Sequence, residues 1–199
     1  MTGTRRWLVL VAIGVGIGGT WQLGEAATIH AKAWLAQVLI ADAWERAMAG
    51  DTRPAPWPWA DTWPVAHLRA PRQGIETFVL AGASGRTLAF GPGHMDGTPL
   101  PGAPGNSVVT GHRDTHFRFL ADIAVGDPLE VAMANGESRR FRVSGTQVVD
   151  ATDAQAVIDG DEARLTLVTC YPFDAVLPGS LLRYVVTAEA VPVMAEVRR

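Results

Sequence analysis

Short apolar and β-branched runs alternate with turn residues over most of the chain after residue 64, as in an antiparallel β-protein. Gly, Pro, Asn or Asp separates most of these runs, and such punctuation favours strands joined by turns. The predicted strands are 65–70, 75–80, 107–110, 128–134, 138–149, 164–170 and 180–190. Repeated short strands of this kind favour a closed barrel or a sandwich.

Short helices and one long loop complete the predicted pattern of this domain. The helices are expected at 84–90, 116–123 and 153–158. The stretch 90–106 is rich in Gly and Pro and is predicted to be a structured loop that crosses one end of the barrel.

The first residues have a different pattern, with Arg5 and Arg6 followed by an uncharged run over 7–24. As a helix this run would reach ~27 Å, against about 30 Å for the hydrocarbon core of a bilayer. It is therefore predicted to span a membrane with the N-terminus in the cytoplasm, because positive charge favours that side. A cleaved signal peptide is the alternative.

Residues 25–63 are predicted to connect this helix to the β-domain. An amphipathic helix is expected over 25–49, with an apolar side formed by Trp34, Leu35, Val38, Leu39 and Ala41. A simple continuation of the membrane helix is the alternative. The following stretch, 54–64, is rich in Pro and Trp and is expected to be an extended hinge whose tryptophans pin it to the barrel. The predicted domains are an anchor over 1–24, a stalk and linker over 25–63, and a catalytic domain over 64–199.

Composition and charge narrow the class of function. The net charge is −3, and this gives no electrostatic case for nucleic acid, because binding to phosphates requires a basic surface. The hydrophobic share of 48% is ample for a core. The chain has a single cysteine, so an internal disulfide is excluded.

Three polar residues at the ends of predicted strands could together perform acyl transfer. Cys170 ends the run 164–170, His112 follows a glycine after the run 107–110, and Arg183 lies in a run of apolar residues. They would supply a nucleophile, a proton shuttle and a fixed cation for oxyanion charge. The competing interpretation is structural, since a free cysteine is among the most buried residue types.

A metal site is the alternative that the same stretch offers. His112, Asp114 and His116 occupy alternate positions, with His94 and Asp96 as possible additional ligands. Gly111 and the apolar residues after His116 indicate that the strand stops at His112, which breaks the alternation that this site needs. Asp114 is expected instead to orient a neighbour or to cap the helix that begins near His116. A non-catalytic, membrane-anchored β-module is a third possibility.

The sequence resembles the sortases, cysteine transpeptidases that anchor or join surface proteins. The resemblance spans roughly 64–191 and rests on short motifs in a fixed order, which are Thr110-Gly111-His112, Thr169-Cys170 and Arg183. The residues around His112 and Cys170 are most similar to those of the sortase class found in Gram-negative bacteria. The resemblance implies a closed eight-stranded β-barrel, mainly β, with short helices.

The resemblance also implies a mechanism. Cys170 would form a thioacyl intermediate with a sorting signal of the Leu-Pro-x-Thr-Gly type, His112 would transfer protons, and Arg183 would stabilise the oxyanion, with help from a backbone N–H near Tyr171. Thr169, Tyr171 and Asp114 are expected to support the site.

The loops 150–163 and 173–179 would shape the substrate pocket. The expected partners are a protein that carries the signal, an amine acceptor and a membrane, and neither a metal nor a cofactor is expected. The implied location is the inner membrane, with a single membrane pass and the catalytic domain on the outer side.

Overall fold

The computed structural model describes residues 2–153, 163–175 and 179–192. It divides into two compact units, Met1–Val38 and Leu39–Arg199. The elements are α1 (Thr2–Met48), β1 (Pro64–Ala70), a 3₁₀ helix (Pro71–Gln73), β2 (Ile75–Ala81), α2 (Gly85–Leu88), β3 (Gly93–His94), β4 (Asn106–Thr110), a second 3₁₀ helix (Arg118–Asp122), β5 (Pro128–Met133), β6 (Ser138–Asp150), β7 (Arg164–Cys170) and β8 (Leu182–Ala190).

The strands form a closed barrel in the order β1-β2-β3-β4-β7-β8-β6-β5, which confirms the predicted eight-stranded barrel. Neighbours are antiparallel except for the parallel pairs β2–β3 and β4–β7. Strand β3 lies inside 90–106, which was predicted to be a loop. A strand of two residues, Gly93 and His94, is too short to produce a periodic signal, so the pattern could not reveal it.

The barrel is filled by alternate residues of its strands, because successive side chains point to opposite faces of a sheet. Val109, Leu129, Leu167 and Val186 are among the buried residues of this core. The second 3₁₀ helix adds apolar side chains to the same core, including Phe119 and Leu120. The predicted helices 84–90 and 116–123 are observed in shorter form, whereas most of 153–158 lies outside the described residues.

The N-terminal unit consists of the first part of α1. Apolar side chains such as Trp7, Ile13 and Trp21 are exposed along it. Within 2–153, 163–175 and 179–192, no helix has both the length and the apolar character that a membrane crossing needs. The membrane-spanning helix predicted within 1–24 is therefore not supported. The predicted location and domain boundaries stay predictions.

The last turns of α1 belong to the second unit and bury one stripe of small and apolar residues. Ile40, Ala43, Trp44 and Ala47 are almost fully buried, and their spacing matches one face of a helix. Trp44 contacts the rings of His67 and Phe78, with centroids 6.4 and 5.9 Å away.

The apolar face predicted for this helix was wrong. The predicted side included Trp34, Leu35 and Val38, which are 68%, 49% and 44% exposed. Alanines such as Ala43 and Ala47 are only weakly hydrophobic, so they contribute little to the hydrophobic pattern of a helix. The tight packing of the helix selects them because a small side chain allows a close approach.

The Pro- and Trp-rich segment after α1 is held against the barrel by its backbone and by some of its tryptophans. Ala81 N–H donates to the carbonyl of Trp63 at 2.8 Å, and the Thr62 hydroxyl donates to the carbonyl of Ala81 at 2.7 Å. Trp57 packs edge-on against Phe90 at 4.8 Å. Trp59 is 83% exposed, so the predicted pinning by tryptophans is wrong at that position.

A buried carboxylate fixes the turn between β1 and β2 to the start of β5. Asp127 is only 1% exposed and accepts hydrogen bonds from Arg72 at 2.7 Å, Gln73 at 2.8 Å and the Ala124 N–H at 3.0 Å. Burial alone would raise the pKa of this carboxyl. The hydrogen bonds and the Arg72 charge outweigh that effect and lower the pKa below its ordinary value.

We expect Asp127→Asn to lower the free energy of unfolding by about 1–3 kcal/mol at pH 7, because an amide leaves buried donors unsatisfied. A carboxyl whose pKa is lowered by folding stabilises the native state above its unfolded pKa, near 3.9, and this contribution is lost as the pH falls through the folded value. Urea unfolding at pH 7 and at decreasing acid pH measures both effects.

The matched control for this test is Asp122→Asn, since Asp122 is an exposed carboxylate in the same region. It should change the free energy of unfolding by about 0.5 kcal/mol or less. A difference between wild type and Asp127→Asn that persists unchanged at the lowest pH would contradict the electrostatic role of Asp127.

Candidate active site

Cys170 is the last residue of β7, the strand that lies between β4 and β8. Leu165, Leu167 and Thr169 are buried on the inner face of this strand. Alternation along the strand places Cys170 on the outer face of the barrel wall. Cys170 is a free thiol and is half-buried. The backbone of this thiol is thus fixed by two neighbouring strands while its sulfur lies near solvent.

Arg183 lies directly opposite Cys170 in the antiparallel ladder of β7 and β8. Directly opposed residues in such a ladder point to the same face, with Cβ atoms about 4.5–5.5 Å apart. Arg183 Nη1 donates to the carbonyls of Ser180 at 2.8 Å and Leu182 at 2.9 Å. The guanidinium is therefore bound to the backbone that leads into β8.

The Arg183 charge also acts on a carboxylate at the end of β6. The pKa of Asp150 is lowered first by hydrogen bonds from the N–H and the hydroxyl of Thr152, and to a smaller extent by the charge of Arg183. Asp150 is the ladder partner of Leu182. The carboxylate of Asp150 thus lies near the charge of Arg183, the ladder partner of Cys170.

His112 is brought to the same barrel end by the parallel pairing of β4 with β7. Thr110 is the partner of Val168 in this ladder, and Gly111 N–H continues it by donating to the carbonyl of Val168 at 3.1 Å. The buried hydroxyl of Thr169 then donates to the carbonyl of Gly111 at 2.7 Å. His112 is the next residue after Gly111, so its backbone lies at the same end of the barrel as Cys170.

Gly111 is required by the close approach of an aromatic ring. A Cβ atom at this position would lie 2.8 Å from the ring of Phe117, which is completely buried. Phe117 N–H also donates to the carbonyl of His112 at 2.9 Å. The chain therefore turns immediately after β4, and His112 stays at the surface while Phe117 enters the core.

Two of the predicted supporting residues have other roles than those expected. Tyr171 N–H donates to the carbonyl of Leu182 at 3.0 Å, so this N–H is already paired within the sheet. The predicted help to the oxyanion from a backbone N–H near Tyr171 stays a prediction. The N-cap of the second 3₁₀ helix is Phe117, without a side-chain hydrogen bond. The capping role of Asp114 is therefore wrong, because the helix begins later than predicted.

His116 lies in the same loop and is half-buried. Its pKa is lowered mainly by burial and then by the charge of His112, while a hydrogen bond to the Ala89 carbonyl and the charge of Asp114 raise it less. Its imidazole is thus mostly neutral at pH 7. Among the residues that the structure describes, no three His, Cys, Asp or Glu side chains form a group that could hold a metal ion.

The contact made by Arg113 was not predicted from the sequence. Its Nη2 donates to the carbonyl of Ala175 at 2.9 Å, so it joins the loop after His112 to the loop after Cys170. The partners are 62 positions apart, and nothing in the local pattern predicts such a pair. The predicted pocket loops 150–163 and 173–179 lie partly outside the described residues.

Comparison with known proteins shows the family to which the chain belongs. A model of the Sortase domain matches residues 68–191. Sortase D of Bacillus subtilis (strain 168) is 32% identical over 110 residues, which are 55% of this chain and 55% of that protein. The chain thus spans about half the length of this curated relative. The Gram-negative class is not shown, since Sortase D of Bacillus represents a Gram-positive class.

Solved structures show the same barrel. Sortase A from Corynebacterium diphtheriae is 27% identical, with a TM-score of 0.60 over 68% of this chain and 64% of that one. Sortase C1 from Streptococcus agalactiae is also 27% identical, with a TM-score of 0.57 over 65% of this chain and 68% of that one. With a family model matched over more than half of its length, the chain belongs to the sortase family, whose members are transpeptidases.

Proposed function

We propose that this protein is a cysteine transpeptidase that cleaves a sorting signal in a protein substrate and transfers the acyl group to an amine. The observation that carries the proposal is the strand register, in which Cys170 opposes Arg183. It is supported by the hydrogen bonds that join Gly111, the residue before His112, to Val168 and Thr169. A nucleophile, a cation and a proton carrier then share one end of a rigid barrel, as acyl transfer requires.

The first step is attack by the Cys170 thiolate on the scissile carbonyl of an extended peptide. The new C–S bond places negative charge on the carbonyl oxygen, and a guanidinium close to that oxygen stabilises the tetrahedral species. Arg183 supplies this cation when it exchanges its bonds to Ser180 and Leu182 for the oxyanion.

The second step is collapse of the tetrahedral species with loss of the leaving amine. His112, in its protonated form, gives a proton to that nitrogen as the C–N bond breaks. A thioacyl group remains on Cys170. An incoming amine, deprotonated by His112, attacks the thioacyl carbon, and the C–S bond breaks to regenerate the thiolate. Attack by water instead gives hydrolysis.

The substrate is proposed to carry a sorting signal of the Leu-Pro-x-Thr-Gly type. This assignment rests on the resemblance in the motifs around His112 and Cys170. Thr110 and Val168 lie on the outer face of β4 and β7 and are only partly buried, so this face is open to an extended peptide. An extended peptide laid along these strands would reach the Cys170 sulfur.

The metal-dependent hydrolase is less well supported. It would require His112, Asp114 and His116 to converge, and the described residues contain no metal-binding group of that kind. The non-catalytic β-module would leave the opposed pair of Cys170 and Arg183 without a role, and the following test separates it from the enzyme.

We expect Cys170→Ala to abolish formation of the acyl adduct and to lower turnover by at least about 10³-fold. Intact-mass measurement after incubation with sorting peptides detects the adduct, which can form only on Cys170 because the chain has a single cysteine. The free energy of unfolding should change by about 1 kcal/mol or less. Turnover that persists in a folded Cys170→Ala variant would rule out the cysteine mechanism.

We expect Arg183→Lys to lower kcat by about 10² to 10³-fold, because lysine is a point charge on a flexible stem and lacks the planar fork of arginine. Steady-state kinetics with one peptide measure kcat and KM separately. The matched control is Arg140→Lys, an exposed strand arginine paired with Glu130 at 3.4 Å, which should retain normal turnover. A change confined to KM would assign Arg183 to substrate binding rather than to the oxyanion.

A further inference from the structure

A cleft of about 570 Å³ opens beside the loop that carries His112, within the size range of small-ligand sites. One wall is the turn between β1 and β2, with Arg72 and Gln73, and the other is the segment from Thr115 to Asp122. Thr115 N–H lies 3.4 Å from the carbonyl of His112. The cleft therefore begins within one loop turn of the proposed proton carrier.

The two arginines that line this cleft differ in whether their charge is already paired. Arg72 is paired with the buried Asp127 at 2.7 Å, so its charge is largely compensated. Arg118 lines the cleft and is exposed, and it forms no ion pair with any residue that the structure describes. Arg118 is thus the cation in this cleft that remains available to an anionic group.

A second feature of the wall points to a ligand with N–H groups. The side-chain oxygen Oε1 of Gln73 is buried and has no hydrogen-bond partner within the described ranges. The Gln73 Nε2 donates to Asp127, which fixes the amide orientation with its oxygen as the unused acceptor. A buried acceptor without a donor is unusual in native proteins, and a peptide N–H seated in the cleft would satisfy it.

The neutral state of His116 suits the same use of the cleft. His116 lines the cleft together with Arg118, and its lowered pKa, caused mainly by burial, favours the uncharged ring at pH 7. A neutral ring neither repels an ammonium nor competes with Arg118 for a carboxylate.

We propose that this cleft binds the incoming amine acceptor and that Arg118 selects a peptide-like acceptor that also carries a carboxylate. This role depends on the transpeptidase activity proposed for the chain. The carboxylate binds Arg118 and the amine extends past His116 toward His112. There the amine loses a proton to His112, its nitrogen bonds to the thioacyl carbon, and the C–S bond breaks to release the Cys170 thiolate.

The test compares triglycine with triglycinamide, two acceptors that differ only in the terminal carboxylate. With a saturating sorting peptide, the transfer product and the hydrolysis product are measured separately for each acceptor. We expect the wild-type protein to prefer triglycine and Arg118→Gln to reduce this preference about three- to fivefold, as for a partly exposed ion pair. Hydrolysis without added amine should be unchanged, since Arg118 takes no part in acylation.

Arg86→Gln is the matched control, because Arg86 is 85% exposed and its ion pair with Asp61, at 3.5 Å, lies outside the cleft. It should keep the wild-type preference. Equal transfer to both acceptors by the wild type, or an unchanged preference in Arg118→Gln, would overturn the role of the cleft while leaving the transpeptidase intact. Absence of any adduct on Cys170 would overturn the proposed function and the acceptor site with it.

Discussion

Strand β7 forms a parallel ladder with β4 on one side and an antiparallel ladder with β8 on the other, and every proposed catalytic group depends on this double pairing. The antiparallel side fixes Arg183 opposite Cys170. The parallel side continues beyond β4 through Gly111 and the hydroxyl of Thr169. A one-residue slip of either ladder would turn a catalytic side chain toward the core, because strand faces alternate.

Packing in the core of the barrel stabilises this register. Phe117 fills the space under Gly111, and the second 3₁₀ helix adds Phe119 and Leu120 to the same core. Asp127 ties the turn after β1 to the start of β5 through Arg72 and Gln73. The loop with His112 is thus held between a packed core and a network of buried hydrogen bonds, while its outer edge borders the cleft.

Local pattern was sufficient for seven of the eight strands of the barrel and for the choice of Cys170, His112 and Arg183 as candidates. The alternation of apolar and polar residues identifies each strand from its own sequence. Polar residues at the ends of strands can reach solvent, which makes them candidates for a site. The same pattern was insufficient for β3, for the buried stripe around Ile40 and Trp44, and for Asp114. The contacts of Arg113 with Ala175 and of Asp127 with Arg72 join distant segments. Only the closed barrel brings those segments together, so no window of sequence could contain the signal.

The parallel pairing of β4 with β7 also has a consequence for the maturation of the enzyme. Between these strands the chain must form β5 and β6, which pair with each other and not with β4 or β7. A chain emerging from the ribosome therefore exposes His112 long before Cys170 exists, and the two meet only when the barrel closes. Contacts of such long sequence separation form late in folding. The proposed nucleophile and its proposed proton partner are thus assembled in the same event that completes the fold.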